Sequence, residues 1–153
     1  MTRMKKKQRI VAIASGGGHW IELVRLRPLL ERHEVVYCST NQGFADTVKG
    51  YPFHLVPEVS RWNKWKVLPV FLQIARVLRR SRPQVVISTG AAPGVLGLLA
   101  GKMLGARTIW IESICHAEKI SLSGRIALKF CDRVYTQWPH LAGGRVLYQG
   151  SVL

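Results

Sequence analysis

The chain is short of acidic residues: 8 Asp and Glu stand against 23 Lys and Arg, a formal net charge of +15 over 153 residues. That imbalance calls for an anionic partner, whether nucleic acid, a phosphorylated substrate or an anionic lipid surface. Cysteine is scarce too. Cys38, Cys115 and Cys131 are odd in number, widely spaced and free of any C-x-x-C pair, which excludes a disulfide framework and a cysteine-based zinc site and points to a reducing cytoplasm. No metal or cofactor is expected. Long apolar runs are missing as well: AAPGVLGLLAG, residues 91–101, comes nearest and falls short of the roughly 18 residues of a membrane span. A secretory signal is excluded because the apolar part of MTRMKKKQRIVAIASGGG gives way to glycine after about five residues. Residues 1–8 read as a basic, mobile leader, and residues 9–153 as one domain.

What is present is an alternation of short β-branched runs with longer helical patterns. Strands are expected at Arg9–Ala14, Glu34–Ser39, Phe53–Pro57, Gln84–Ser88, Arg107–Glu112, Arg133–Gln137 and Arg145–Tyr148. Helices are expected over Trp20–Arg32, kinked or split at Pro28, and over Trp65–Arg80, Pro93–Leu104 and 121–132, with barely two turns in NQGFADTVKG. This alternation predicts an α/β, Rossmann-like, doubly wound and mainly parallel sheet. With the second and third strands on one side of the first and the fourth on the other, the loops after strands one and four face each other across a ligand crevice.

Those loops are SGGGH at 15–19 and STGAAPG at 88–94. Glycines at a strand-to-helix turn let the backbone approach an anion that the first helical N–H groups can hold. A dinucleotide site is excluded: the turn is not G-x-G-x-x-G, and the second strand ends Cys38-Ser39-Thr40-Asn41 without an acidic residue for a ribose. No G-K-[ST] follows, so a Walker-type loop is excluded too. Ser15, Gly16, Gly17, Gly18, Thr89 and Gly90 are the expected phosphate contacts. Ser121 and Ser123 of SLSG join them if the following helix faces the anion; a plain N-cap is the simpler account.

His19 stands where the turn becomes helix, and the positive end of the helix dipole there favours a neutral imidazole. It is the expected general base, against the alternative that it merely packs the turn. Glu112, at the end of the fifth strand, is expected to bind a substrate hydroxyl or orient a base, against the alternative of pairing with a nearby Arg or Lys. Cys115-His116 lacks companion ligands and reads as structural.

RWNKWKVLPVFLQIARVLRRSRP, residues 61–83, combines Trp62 and Trp65 with Arg76, Arg79 and Arg80 on a helix with a wide apolar perimeter. It suits docking on an anionic membrane; a crossover helix with snorkelling basic residues is the alternative. No helix-turn-helix, finger or RNA-binding motif is present, so nucleic acid is not the expected partner.

Taken together, SGGGH, ISTGAAPG, IES and SLSGR, in this order and over Ile10–Leu153, resemble the Alg-fourteen-like family of oligosaccharide biosynthesis proteins, including bacterial exopolysaccharide versions. The resemblance implies the N-terminal half of a GT-B glycosyltransferase, similar to that of the transferase completing the peptidoglycan lipid precursor. It implies an acceptor-side subunit that transfers a sugar from a UDP-sugar to a polyprenyl-diphosphate-linked saccharide. The donor-binding subunit would be a separate chain. SGGGH would cradle the acceptor diphosphate, with His19 as base. Eukaryotic relatives carry an N-terminal anchor where this sequence reads MTRMKKKQR, so attachment at the cytoplasmic face would be peripheral. A non-catalytic subunit that recruits a catalytic partner to the membrane is the alternative function, and a basic nucleic-acid-binding domain is the third reading.

Overall fold

The computed structural model describes residues 5–59 and 64–152. Seven strands form one parallel sheet: β1 (Arg9–Ala14), β2 (Glu34–Ser39), β3 (Phe53–Leu55), β4 (Val85–Ser88), β5 (Arg107–Ile111), β6 (Arg133–Thr136) and β7 (Val146–Tyr148). Their order is β3-β2-β1-β4-β5-β6-β7, so the sheet grows outward in both directions from the β1–β4 pair. The central runs RIVAIA and VVIS are buried along nearly their whole length, as a sheet covered on both faces requires.

Among the described residues, five α-helices provide that cover: α1 (Gly18–Arg25), α2 (Arg27–Leu30), α3 (Val67–Ser81), α4 (Ala91–Met103) and α5 (Leu122–Ala127). Alternate residues of each strand enter opposite layers. Ile10, Ala12 and Ile87 share a layer with Trp20, Leu23 and Leu30, while Val11, Ile13 and Val86 share the other with Val70, Ile74, Leu78 and Leu98. At full burial each large aliphatic contributes roughly 1.5–3 kcal/mol, so these two layers hold the frame on which the loops sit.

Some boundaries differ from expectation for local reasons. The first helix is split as expected, but at Leu26, with Pro28 in the opening turn of α2 where its missing N–H is not needed. Residues Gln42–Val48 form a 3₁₀ stretch opened by the Asn41 side chain accepting from the Gly43 N–H, not an α-helix. The fifth helix stops at Ala127, well before residue 132. Strand β5 stops at Ile111, leaving Glu112 as the first residue beyond it.

Helix α4 lies close on the sheet because its inner face is glycine. A Cβ at Gly94 would fall 2.0 Å from Ser88 Oγ, and one at Gly101 would fall 2.5 Å from Val86 Cγ2. Gly105 is beyond the helix, in the following turn. At the N-terminal ends of β5 and β6, Asp132 accepts from Lys102 Nζ at 2.6 Å and the Thr108 N–H at 2.8 Å, which holds its carboxyl down at about 2. This pair ties the end of α4 to the turn before β6.

Candidate functional site

Strand β1 delivers the chain into α1 through Gly17, whose φ of 75° and ψ of −140° are costly for any side chain. Two residues later stands His19. Its Nδ1 lies 3.2 Å from the Thr89 carbonyl oxygen, and Thr89 Oγ1 donates back to the His19 carbonyl at 2.6 Å. A carbonyl only accepts, so Nδ1 carries the proton, and in the neutral ring Nε2 keeps its lone pair. Gly90 makes this contact possible, since a Cβ there would sit 2.1 Å from Nδ1. The two glycine loops therefore meet directly, with the His19 ring between them.

Just past β5, Glu112 is 1% exposed. Its Oε2 accepts from Trp110 Nε1 at 3.3 Å, and its Oε1 lies 3.8 Å from His116 Nε2. Helix α5 passes over it at Gly124, where a Cβ would come 2.0 Å from Oε2. Its neighbours among the described residues are thus an indole and an imidazole, not the Arg or Lys weighed from sequence.

A crevice of about 670 Å³ brings these groups together: His19 and Gly90 from the glycine loops, Glu112 and His116 after β5, and Lys119 and Arg125 around α5. Ser121 and Ser123 line it as well, the Ser121 hydroxyl also accepting from the Gly124 N–H at 2.9 Å as the α5 cap. Ser15, Gly16, Gly17, Gly18 and Thr89 do not line it. Ser15 and Thr89 are buried, while Gly17 and Gly18 are open to solvent just before His19. The Gly16 N–H is taken by Thr40 Oγ1 at 3.0 Å.

The expected membrane residues lie elsewhere. Arg76, Arg79 and Arg80 are exposed on α3, and Trp65, in the turn before it, is 93% exposed. Leu68 and Leu72 are also exposed, whereas Val70, Ile74 and Leu78 face the core, so only part of the apolar perimeter is available. Trp62 lies outside the described residues.

His116, which reads as structural from sequence, lines the crevice, as do Lys119 and Arg125, which flank the marked motifs and carry no role in the sequence analysis. Sequence reading left out Glu22 and Gln137, buried beside the crevice, which are taken up below. Among the described residues there is no cluster of three or more groups suited to a metal, and no helix is long and apolar enough to cross a membrane.

The fold is thus Rossmann-like, with an open crevice at the switch point of its sheet. MurG of Acinetobacter baumannii superposes with a TM-score of 0.77 at 15% identity, over 94% of this chain and 46% of that one. The chain belongs to the family described as "Oligosaccharide biosynthesis protein Alg14 like", whose model matches residues 59–152. The UDP-N-acetylglucosamine transferase subunit ALG14 of Mus musculus is 28% identical over 180 residues, covering 90% of this chain and 78% of that protein. Its counterpart in Yarrowia lipolytica is 35% identical over 78 residues, 47% of this chain and 36% of that protein. A pyrophosphoryl-undecaprenol N-acetylglucosamine transferase of Geobacillus thermodenitrificans is 24% identical over 98% of this chain and 46% of its own length. Against that enzyme and MurG, the chain spans about half of the longer protein.

Proposed function

We propose that this chain is the acceptor-side subunit of a heteromeric glycosyltransferase, moving a sugar from a UDP-sugar onto a polyprenyl-diphosphate-linked saccharide in exopolysaccharide or oligosaccharide synthesis. The observation that carries the reading is the crevice, where a histidine with a free Nε2, a buried carboxylate and two cations converge on one side of a half-enzyme fold. Lys119 and Arg125 offer the acceptor diphosphate its charge partners within the crevice, and the solvent-open turn at Gly17 and Gly18 beside it offers backbone N–H groups. Ser121 and Ser123 offer hydroxyls. His19 Nε2 takes the acceptor hydroxyl proton as that oxygen attacks the anomeric carbon, and the UDP leaves from the donor-binding subunit. Glu112 serves the acceptor hydroxyl or the orientation of His116.

One Rossmann-like half cannot enclose donor and acceptor together and keep water from the reaction. The purified chain is therefore expected to transfer no sugar from UDP-N-acetylglucosamine or other UDP-sugars to a short-chain polyprenyl-diphosphate saccharide. Adding the donor-binding chain restores transfer. Robust turnover by this chain alone, or none by the pair with any UDP-sugar, overturns the reading.

Attachment is proposed to be peripheral, at the cytoplasmic face, through α3 and the turn before it. Each basic residue near an anionic surface contributes on the order of 1 kcal/mol, and exposed Trp65, Leu68 and Leu72 add interfacial burial. Replacing Arg76, Arg79 and Arg80 with Gln is expected to weaken sedimentation with anionic vesicles, as is added salt; Trp65→Ala weakens it with less dependence on salt. Binding indifferent to all of these leaves α3 as an ordinary crossover helix.

A further inference from the structure

Glu22 lies on α1 one turn after His19 and is 4% exposed. Its Oε1 accepts from the Ile114 N–H at 2.8 Å and from Gln137 Nε2 at 3.0 Å, while Oε2 is buried without a partner among the described residues. Gln137, just past β6, is 5% exposed and donates from the same Nε2 to the Glu112 carbonyl oxygen at 3.1 Å. Its Oε1 accepts from the Val152 N–H at 2.9 Å, and Arg25 Nη1 donates to the Val152 carbonyl at 3.2 Å.

A buried carboxyl with an unpartnered oxygen opposes folding unless its remaining bonds compensate. Helix α1 already has apolar anchors in Trp20 and Leu23, so its packing does not call for a carboxyl at position 22. What this carboxyl does, and an apolar side chain cannot, is fasten α1 to the loop after β5. Those two segments carry His19 and Glu112. Gln137 completes the fastening, because one amide group holds both the Glu22 carboxylate and the Glu112 backbone.

We infer that Glu22 and Gln137 are positioning residues of the transfer reaction, setting the separation of His19 and Glu112 across the crevice without touching the substrate. The inference rests on the glycosyltransferase reading above. A misplacement of about 1 Å at reacting groups is enough to cost ~10²-fold in rate.

In the reconstituted pair, Glu22→Leu and Gln137→Leu are each expected to lower kcat by ~10–100-fold while KM stays within about twofold. Glu22→Gln, which keeps the accepting oxygen, recovers most of the turnover. Combining Gln137→Leu with Glu112→Gln loses no more than Glu112→Gln alone, because Gln137 acts through that residue. Wild-type kcat in Gln137→Leu, or losses in the two Leu variants that simply follow the unfolded fraction in thermal melts, overturns the inference. If the wild-type pair transfers no sugar, it is the parent reading that fails. Amide exchange then tests the network itself: protection of Ile114 and Val152 falls in the two Leu variants if the inference holds, and unchanged protection overturns it.

Discussion

In the reconstituted pair, His19→Ala lowers the transfer rate by ~10²-fold or more while the two chains still assemble. The expectation follows from the hydrogen bond at Nδ1: with Thr89 accepting there, the ring is held in the tautomer whose Nε2 receives a proton. His19→Gln separates orientation from chemistry, because its amide can still donate to Thr89 but offers no base, so its rate stays as low as that of His19→Ala. Losing the contact also removes a hydrogen bond worth about 1 kcal/mol, so a modest fall in thermal midpoint accompanies His19→Ala. A single-turnover measurement at saturating acceptor reads the effect directly. An unchanged rate leaves His19 as a staple between the glycine loops, moves suspicion to Glu112 and favours a recruiting subunit over a catalytic one.

The parts of the molecule legible in the sequence are those that local chemistry determines. Arg9–Ala14 and Glu34–Ser39 are strands with the expected ends because each is a β-branched run closed by turn residues. The parallel order, with β2 and β3 on one side of β1 and β4 on the other, follows from alternation and crossover rules. The same rules put the loops after β1 and β4 beside each other, although of their expected ligand contacts only His19 and Gly90 reach the crevice. Their direct contact through His19 was not foreseen, since it depends on the depth to which α1 and α4 sit on the sheet. Helix lengths were less legible. Residues 121–132 have helical spacing, yet only Leu122–Ala127 is helical, and its Gly124 is pressed onto the Glu112 carboxylate. The site was legible only in part. His116 was set aside because no metal partners accompany it, but it lines the crevice for its distance to Glu112 rather than for ligation. Glu22 shares a helical face with His19 and could have been marked on that ground. Gln137 carries no such signal, as its contact with Glu22 spans 115 positions of sequence and exists only once β6 has paired beside β5.

Gly90→Ala is expected to reduce transfer about as severely as loss of His19 itself, although residue 90 carries no reactive group. An added Cβ would stand 2.1 Å from His19 Nδ1, 2.6 Å from Cε1 and 2.8 Å from Cγ, so the whole ring must leave. Moving it breaks the bond to Thr89 and releases Nε2 from its place in the crevice, for a rate loss of ~10²-fold. The substitution also carries a backbone cost, because φ at Gly90 is 154°, so stability falls by roughly 1–3 kcal/mol. Gly18→Ala is the matching control. A Cβ at Gly18 has nothing within 4 Å, and alanine is the better helix former by about 1 kcal/mol, so the free protein should be as stable as wild type or more so. If the turn holds the acceptor diphosphate, that Cβ meets the ligand instead, and KM for the acceptor rises while stability does not fall. Measured side by side in the reconstituted pair, Gly90→Ala should move kcat and thermal midpoint, and Gly18→Ala should move acceptor KM alone. Wild-type kcat in Gly90→Ala would show that the packing of His19 against residue 90 has no part in the reaction, and an unaltered KM in Gly18→Ala would remove the diphosphate from the glycine turn.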